Sequence, residues 1–215
     1  MFTGIVQELG KIRERVETGK AVLFSFTAPL LSHSLKVGDS IACDGVCLTV
    51  ERSGSGEFSV CAVPETLSKT TLGEWKTGTT VNLEPALTPQ TPIGGHFMMG
   101  HIDATCEVVE VKTLSSGEGR EISVRLPAEF IRYCVYKGSL TLSGISLTIA
   151  SIEEDLLRFA IIPHTLEVTN LGAATVGTRL NFEVDVLAKY VERQLKFGKS
   201  EITEFKLETW GYEVR

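Results

Sequence analysis

The chain contains two copies of one sequence, and this internal repeat constrains its fold more than any other feature. When the sequence is shifted by 99 residues, residues 38–84 align with 137–183 without a gap, and 14 of the 47 aligned positions are identical. Unrelated segments of ordinary composition would share about 3. The start of each copy also matches, at a shift of 96, where Gly4 falls on Gly100. A period this long, present twice, indicates a duplicated domain and not a solenoid.

The join between the copies lies in residues 85–95, PALTPQTPIGG, which contain three prolines, two glycines and no charge. This composition is typical of a linker. We therefore predict an N-terminal domain at residues 1–94, a C-terminal domain at 95–186, and a helix with a variable tail at 187–215. The change of shift from 96 to 99 gives the second copy three additional residues, which we place around residues 115–119.

Each copy shows the period-two alternation of β-strands, as in Val46, Leu48 and Val50, which alternate with Cys47 and Thr49. Short alternating runs separated by Gly, Pro and Ser predict an all-β fold of two tandem small β-barrels, each closed and of Greek-key type.

One short helix is expected in each copy, in residues 64–73 and 163–172, with threonine at the N-cap and glycine just past the end. After Asp185, four apolar residues recur at helical spacing, namely Leu187, Tyr190, Val191 and Leu195. The resulting amphipathic helix has a stripe to bury, either on its own barrels or against the same helix of another chain.

The composition excludes several classes of function. The net charge is −6, with 21 Lys and Arg against 27 Asp and Glu, which argues against a nucleic-acid partner and against docking on anionic lipid. No apolar stretch approaches the roughly 20 residues of a membrane helix, and MFTGIVQELG at the N-terminus lacks the features of a signal peptide. The five cysteines include no C-x-x-C pair, so we predict neither a disulfide framework nor a metal site. Together with the lack of a membrane span and of a signal peptide, this predicts a cytoplasmic protein.

Two strands carry small polar residues at matched positions. In a strand, Cys47 and Thr49 face away from the apolar core, as do Ser146 and Thr148 in the second copy. A row of small donors and acceptors suits a flat polar heterocycle, while the alternative is an ordinary solvated face. The segments that begin at Pro64 and Pro163 would offer helix N–H groups to an oxygen-rich ligand, or simply be capped by threonine.

The segment GGHFMMGH, residues 94–101, places two histidines five residues apart in a glycine-bounded turn. This spacing and the lack of a third ligand argue against a metal site. His101 aligns with Ile5, so it occurs in one copy only and could carry a proton, make a polar contact or be structural. No Ser-His-Asp or Cys-His triad can be assembled from spacing alone.

Together, the segments MFTGIV, DGVCLTV, PETL, IGGHFMMGHI, KGS, GISLTI, IPHTL and NFEVDVLAKYVERQL resemble the riboflavin synthase family of the alpha-subunit type, from residue 1 to about residue 195. The resemblance implies the last step of riboflavin biosynthesis. Two molecules of 6,7-dimethyl-8-ribityllumazine dismutate by transfer of a four-carbon unit, giving riboflavin and 5-amino-6-ribitylaminouracil. It also implies no cofactor, one lumazine per barrel, and a homotrimer held by the C-terminal helices, with the active site between the N-barrel of one subunit and the C-barrel of a neighbour.

The resemblance also implies the residues of two substrate sites. The N-terminal site comprises Thr3, Gly4, Ile5, Val6, Ser40, Cys47, Leu48, Thr49, Cys61, Ala62, Val63, Pro64, Glu65 and Thr66. The C-terminal site comprises Gly100, His101, Ile102, Lys137, Ser146, Leu147, Thr148, Ala160, Ile161, Ile162, Pro163, His164 and Thr165. The residues expected to affect the rate are His101, Ser146, Cys47 and Asp185.

The two copies differ in ways that could divide the chemistry. The second copy alone holds His101, His164 and Lys137, so we expect it to carry more of the proton transfer. The family often has Asp where this chain has Ser143, whereas Asp44 stands at the matching place in the first copy. Any role for a carboxylate at position 143 is therefore in doubt.

Two other functions fit parts of the pattern. The first is a non-catalytic antenna protein of the same fold that binds one lumazine or flavin, and such a protein should show one decayed copy. Both Leu-Thr strands and both Pro-x-Thr-Leu segments are intact here, which favours the enzyme. The second is a flavin reductase barrel, which would need a partner domain with G-x-G-x-x-G, and that motif is absent.

Overall fold

The computed structural model describes residues 1–114, 118–197 and residue 209. The additional residues predicted around 115–119 therefore lie partly outside the described residues, as does most of the predicted variable tail. Within the described part, the predicted all-β, duplicated architecture is confirmed.

The first copy forms a closed six-stranded barrel in the order β1-β2-β5-β4-β3-β6. Its strands are β1 (Glu8–Thr18), β2 (Ala21–Thr27), β3 (Ser40–Cys43), β4 (Val46–Gly54), β5 (Glu57–Ala62) and β6 (Thr80–Pro85). The barrel closes because β1 pairs with both β2 and β6. In β2, Val22, Phe24 and Phe26 are buried while the residues between them are half-exposed, so the alternation read from the sequence points one face into the barrel.

The second copy forms a curled seven-stranded sheet in the order β10-β9-β13-β7-β8-β12-β11. Its strands are β7 (Ala104–Thr113), β8 (Arg120–Arg125), β9 (Ser139–Leu142), β10 (Ile145–Thr148), β11 (Ser151–Glu153), β12 (Leu156–Ile161) and β13 (Arg179–Val184). The stretch that corresponds to β4 is interrupted at residues 149 and 150, which join the two end strands of the order. Pairing of β1 with β6 therefore closes the first sheet. In the second sheet, the two end strands are β10 and β11, which are consecutive in the chain.

The helices differ from the sequence prediction in their caps. The helices α1 (Pro64–Lys69) and α3 (Pro163–Val168) begin with proline at the first position, and their N-caps are Val63 and Ile162, not threonine. Proline suits this position because its missing N–H needs no partner there. The predicted final glycines, Gly73 and Gly172, instead lie within the 3-10 helices Thr71–Glu74 and Asn170–Ala173.

Besides α1 or α3 and the 3-10 helix that follows it, each copy contains a further short helix, so the expectation of one per copy was wrong. These helices are the 3-10 helix Leu31–His33 and α2 (Ala128–Ile131). The last helix, α4 (Val186–Phe197), confirms the helical prediction after Asp185. Lys189 ties it to the second barrel through a 2.7 Å ion pair with Asp103. Its apolar stripe is exposed in the single chain, since Leu195 is 72% exposed and Tyr190 is 65% exposed.

Candidate functional site

The matched polar strands have the orientation predicted from the sequence. In β4, Val46 and Leu48 are buried in the barrel core, whereas Cys47 is half-exposed and Thr49 is exposed on the outer face. The second copy repeats this in β10, where Ser146 is half-exposed and Thr148 is exposed. The side chains of Leu48 and Leu147 belong to the cores, so these two candidate site residues can offer a ligand only their backbone.

The hairpins in front of these strands bring the two barrels into contact. Asp44 and Gly45 form the β3–β4 turn at φ values of +45° and +81°, and Ser143 and Gly144 form the β9–β10 turn at +43° and +78°. Two consecutive residues with positive φ fit a tight hairpin turn of type I′. The two glycines meet backbone to backbone, because a Cβ on Gly45 would lie 2.8 Å from the amide nitrogen of Gly144.

A network of asparagines covers this contact. The Nδ2 of Asn181 donates to the Asp44 carbonyl at 3.0 Å, and the Nδ2 of Asn82 donates to the Ser143 carbonyl at 2.8 Å. The Asp44 carboxylate accepts from the Asn82 amide at 2.8 Å and from Asn170 Nδ2 at 2.9 Å. Burial outweighs these hydrogen bonds and raises the pKa of Asp44 to about 7. Asp44 and Ser143 are therefore part of the joint between the barrels.

The two copies exchange the segments that precede their first strands. The Gly4 carbonyl accepts from the Ser146 amide at 2.8 Å, and the Gly100 carbonyl accepts from the Cys47 amide at 2.9 Å. Val6 accordingly packs against the core of the second barrel. Ile102 packs against the core of the first barrel.

This exchange changes the grouping of the predicted site residues. The sequence grouping placed residues 3–6 with Cys47 and residues 100–102 with Ser146. The structure places residues 3–6 beside Ser146 and residues 100–102 beside Cys47. The repeat could not reveal the crossing, because the same segments recur in both copies and their partners are set by the packing of the barrels.

Two matched glutamates hold the exchanged segments in place. Glu84, buried at the end of β6, accepts from the Thr3 amide and hydroxyl, both at 2.7 Å, and from the Gly4 amide at 2.9 Å. Glu183 in β13 accepts from the amides of Met99 and Gly100, both at 2.9 Å. Burial raises the pKa of both carboxyls, although the amide donors oppose that rise. Each glutamate thereby fixes a segment that contacts the candidate strand of the other barrel.

The structure separates the two histidines of the GGHFMMGH segment. His101 is exposed, and its side chain makes no hydrogen bond to another described residue. His96 is half-buried, and its Nδ1 lies 2.7 Å from the Ser146 Oγ, while its Nε2 lies 3.3 Å from the Thr141 Oγ1. Sequence reasoning did not select His96. The sequence shows only the glycine pair at 94 and 95 before this histidine; in the structure a Cβ on Gly95 would lie 2.1 Å from the Thr3 carbonyl oxygen and 2.9 Å from the Ser146 Oγ, so the close approach requires glycine.

The remaining predicted site residues are spread over several elements, and two of them, Ala62 and Ile161, are buried in the barrel cores. Ser40 is opposite Thr49 in the β3–β4 pair. The segments that follow β5 and β12 lead into α1 and α3 and carry the exposed apolar side chains of Val63 and Ile162. Lys137 has a φ of +64° and places its ammonium 5.1 Å from the Tyr136 ring centroid.

Asp185 immediately precedes α4 and caps it, since its Oδ1 accepts from the Leu187 amide at 2.9 Å. Its charge still acts on His96, because it raises the pKa of that imidazole, while burial has the larger effect and lowers it. Across residues 1–114 and 118–197, no three His, Cys, Asp or Glu side chains are grouped to hold a metal ion. In the same part of the chain, no helix is long and apolar enough to cross a membrane.

Known proteins match this arrangement over most of the chain. The lumazine binding domain family matches residues 3–86 and 99–185, one match in each copy. The riboflavin synthase of Mycobacterium tuberculosis is 42% identical over 91% of this chain and 98% of its own length. The riboflavin synthase of Bacillus subtilis is 35% identical over 91% of this chain and 90% of its own length.

A solved structure confirms the fold independently of close sequence similarity. The crystal structure of LumP complexed with riboflavin is 23% identical, has a TM-score of 0.79, and covers 86% of this chain and 99% of LumP. At that identity it supports the architecture alone. The family match in both copies, together with relatives of 35–42% identity over about nine-tenths of the chain, shows that this chain belongs to the riboflavin synthase family of lumazine-binding-domain proteins.

Proposed function

We propose that the chain is a riboflavin synthase that converts two molecules of 6,7-dimethyl-8-ribityllumazine into riboflavin and 5-amino-6-ribitylaminouracil. The observation that carries this proposal is the pair of related outer strands, one with Cys47 and Thr49 and one with Ser146 and Thr148. A reaction between two identical molecules needs two similar sites, and the duplication supplies them. LumP, which shares the fold, has been crystallised with riboflavin and with the lumazine, so the fold accommodates both molecules.

Positioning supplies much of the proposed catalysis. Two lumazines held in contact react as one bound pair, and such pre-orientation can lower a barrier by roughly 7–11 kcal/mol. The 7-methyl group of the lumazine is unusually acidic for a C–H group, so the protein needs to supply only weak acid–base assistance and good positioning. The differences between the copies, such as Cys47 against Ser146 and Ile5 against His101, allow one site to bind the donor of the four-carbon unit and the other to bind the acceptor.

The test is direct incubation of the purified chain with the lumazine. Riboflavin formation is followed by its fluorescence, and the second product is measured separately. Equal amounts of riboflavin and 5-amino-6-ribitylaminouracil are expected. Binding without turnover would identify a carrier or antenna protein instead.

We also propose that the enzyme is a cytoplasmic homotrimer with its active site shared between subunits. The exposed stripe of Leu187, Tyr190, Val191 and Leu195 on α4 supports a helix-mediated assembly, since it leaves apolar surface uncovered in the single chain. In this proposal, residues 1–94 and 95–186 form the two lumazine-binding domains, and the helix after them holds the subunits together.

Light scattering on a Leu195→Glu variant tests the assembly. The charge should dissociate the oligomer and reduce activity, because a charge is costly in an apolar interface. Gln194→Glu is the matched control, since Gln194 is an exposed polar residue beside the stripe. Full activity from a dissociated chain would contradict a site shared between subunits.

A further inference from the structure

His96 bridges two hydroxyl groups that face each other across a strand pair. Ser146 and Thr141 are directly opposite in the β10–β9 ladder, so their side chains lie on the same face. The imidazole contacts both, with Nδ1 2.7 Å from Ser146 Oγ and Nε2 3.3 Å from Thr141 Oγ1. The backbone of His96 is itself fixed, because its amide donates to the Thr3 carbonyl at 3.1 Å. The ring is therefore held in one orientation over Ser146.

The surroundings of the ring decide its charge. Burial lowers the pKa of His96, and the negative charge of Asp185, at the junction of β13 and α4, opposes this less strongly. A neutral imidazole has one N–H and one acceptor nitrogen. With the proton on Nε2, the ring donates to Thr141 and its Nδ1 accepts from the Ser146 hydroxyl. In this tautomer the shorter of the two contacts, at 2.7 Å, is the hydrogen bond from the Ser146 hydroxyl to the basic Nδ1.

The first copy has no such arrangement at the matching positions. Cys47 lies opposite Ala42 in the β3–β4 ladder, where the second copy has Ser146 opposite Thr141. The side chains packed at Cys47 are apolar, namely those of Phe2, Ala42 and Met98. Among the residues that the structure describes, only the second copy therefore places a basic nitrogen against its strand hydroxyl or thiol.

We propose that His96 accepts the proton of the Ser146 hydroxyl while Ser146 removes a proton from the substrate bound at the second copy. This inference rests on the proposed function and adds to it the base and the copy in which proton abstraction occurs. The substrate C–H bond breaks and its electron pair stays on the delocalised carbanion. The proton passes to Ser146 Oγ as the proton of that hydroxyl passes to His96 Nδ1, so the step yields an imidazolium and an anion and is reversed on reprotonation. His96 takes up the proton through Ser146 and does not itself contact the substrate, whereas Ser146 contacts the carbon acid.

The decisive variant is His96→Asn. The asparagine carbonyl oxygen can take the place of Nδ1 and hold the Ser146 hydroxyl, but it cannot take up a proton. We expect His96→Asn and His96→Gln to lower the single-turnover rate by roughly 100-fold or more, the range of general base catalysis. Both should remove the acid limb of the pH–rate profile and leave riboflavin affinity, measured by fluorescence titration, unchanged. His33→Gln, on an exposed 3-10 turn, is the matched control and should change nothing.

Exchange of the lumazine 7-methyl protons with deuterium gives a second readout, since it reports abstraction without the later steps. We expect His96→Asn and Ser146→Ala to slow it to a similar extent, and the double variant to be no slower than either one. Near-wild-type turnover by His96→Asn would show that the ring only positions the hydroxyl, and would overturn the proposal. An equal loss of rate and of riboflavin affinity would overturn it as well.

The tautomer of His96 tests the inference without reference to turnover. Nitrogen-15 NMR of the imidazole should show Nδ1 unprotonated and Nε2 protonated, with the Nδ1 resonance shifting in Ser146→Ala. A proton on Nδ1 would exclude acceptance from Ser146 and overturn the proposal. A wild-type chain that forms no riboflavin would instead refute the proposed function, so the two failures are distinct.

Discussion

Gly45 and Gly144 meet backbone to backbone where the two barrels join. A Cβ on Gly45 would lie 2.8 Å from the Gly144 amide nitrogen, and a Cβ on Gly144 would lie 2.6 Å from the Gly45 amide nitrogen. Each glycine is the second residue of a tight turn with positive φ. The pair is related by the sequence repeat, so the duplication creates a contact in which each copy presents the same turn to the other.

A side chain at this contact should weaken the joint. In Gly45→Ala, the added methyl would overlap the backbone of Gly144, and the residue would also be strained at a φ of +81°. The conformational strain costs about 1–2 kcal/mol, and overpacking costs about 1–3 kcal/mol more. Urea denaturation followed by tryptophan fluorescence measures the sum. Gly19→Ala is the matched control, since Gly19 has a φ of +66° with nothing within 4 Å of a Cβ. A loss in Gly45→Ala no larger than that in Gly19→Ala would contradict the close contact.

The buried Asp44 predicts a pH dependence of stability. Its pKa is raised from 3.8 to about 7 in the folded chain, chiefly by burial. A carboxyl whose pKa is higher when folded binds more protons in the native state, so its contribution to stability is complete below its unfolded pKa and is lost as the pH rises through the folded value. The loss therefore falls between about pH 4 and about pH 7.

Asp44→Asn removes this titration and keeps an oxygen that accepts from Asn82 and Asn170. Asparagine also tolerates the positive φ of the turn. The unfolding free energy of the variant should exceed that of the wild type increasingly with pH, by up to roughly 4 kcal/mol at about pH 8. The measurement is urea denaturation of both proteins at several pH values. A difference that stays constant over that range would show that Asp44 does not titrate as its burial implies.

The sequence predicted the fold well because its signals are local. The alternation of Val46, Leu48 and Val50 with more polar residues predicts a strand without reference to distant parts of the chain. The repeat then predicts a second domain of the same kind. The predicted threonine caps were wrong because Pro64 and Pro163 occupy the first helical position. The N-cap residues are therefore Val63 and Ile162, whose side chains form no capping hydrogen bond.

The candidate site was harder to predict because its contacts join distant segments. Cys47 and Ser146 were identified by their strands, but which segment contacts each of them depends on the exchange between the barrels. The contact of His96 with Ser146 spans 50 residues and is not encoded by any local period. The repeat shows that glutamate occurs at both matched positions, Glu84 and Glu183, but it does not show that these side chains bind the exchanged segments.

The crossed connection predicts that each matched glutamate affects the opposite barrel. In Glu183→Gln, the new amide group faces the backbone N–H donors of Met99 and Gly100, and one of those donors loses its acceptor. An unsatisfied buried donor costs about 1–3 kcal/mol. Because the Gly100 carbonyl holds the Cys47 amide, hydrogen exchange at Cys47 should accelerate by roughly tenfold or more.

The reciprocal variant is its control. Glu84→Gln should accelerate exchange at the Ser146 amide, which is bound by the Gly4 carbonyl, and should leave Cys47 protected. If each substitution instead loosened the strand of its own barrel, the exchanged segments would not transmit the effect.

The same exchange predicts where a stable N-terminal fragment must end. A fragment of residues 1–94 contains the whole first barrel but lacks three groups that complete it: the bridge from Met98 to Phe2, the Gly100 carbonyl that binds Cys47, and the Ile102 side chain on the barrel core. Residues 1–103 contain all three. We expect the longer fragment to be more stable to urea by about 2–5 kcal/mol, from the two Phe2–Met98 hydrogen bonds, the Cys47–Gly100 hydrogen bond and the partly buried Ile102 side chain. It should also bind riboflavin more tightly in a fluorescence titration, because Cys47 and Thr49 are held in place. A fragment of equal length with residues 95–103 in reversed order controls for chain length. Equal stability and affinity of the two natural fragments would show that the first barrel needs nothing from the second copy.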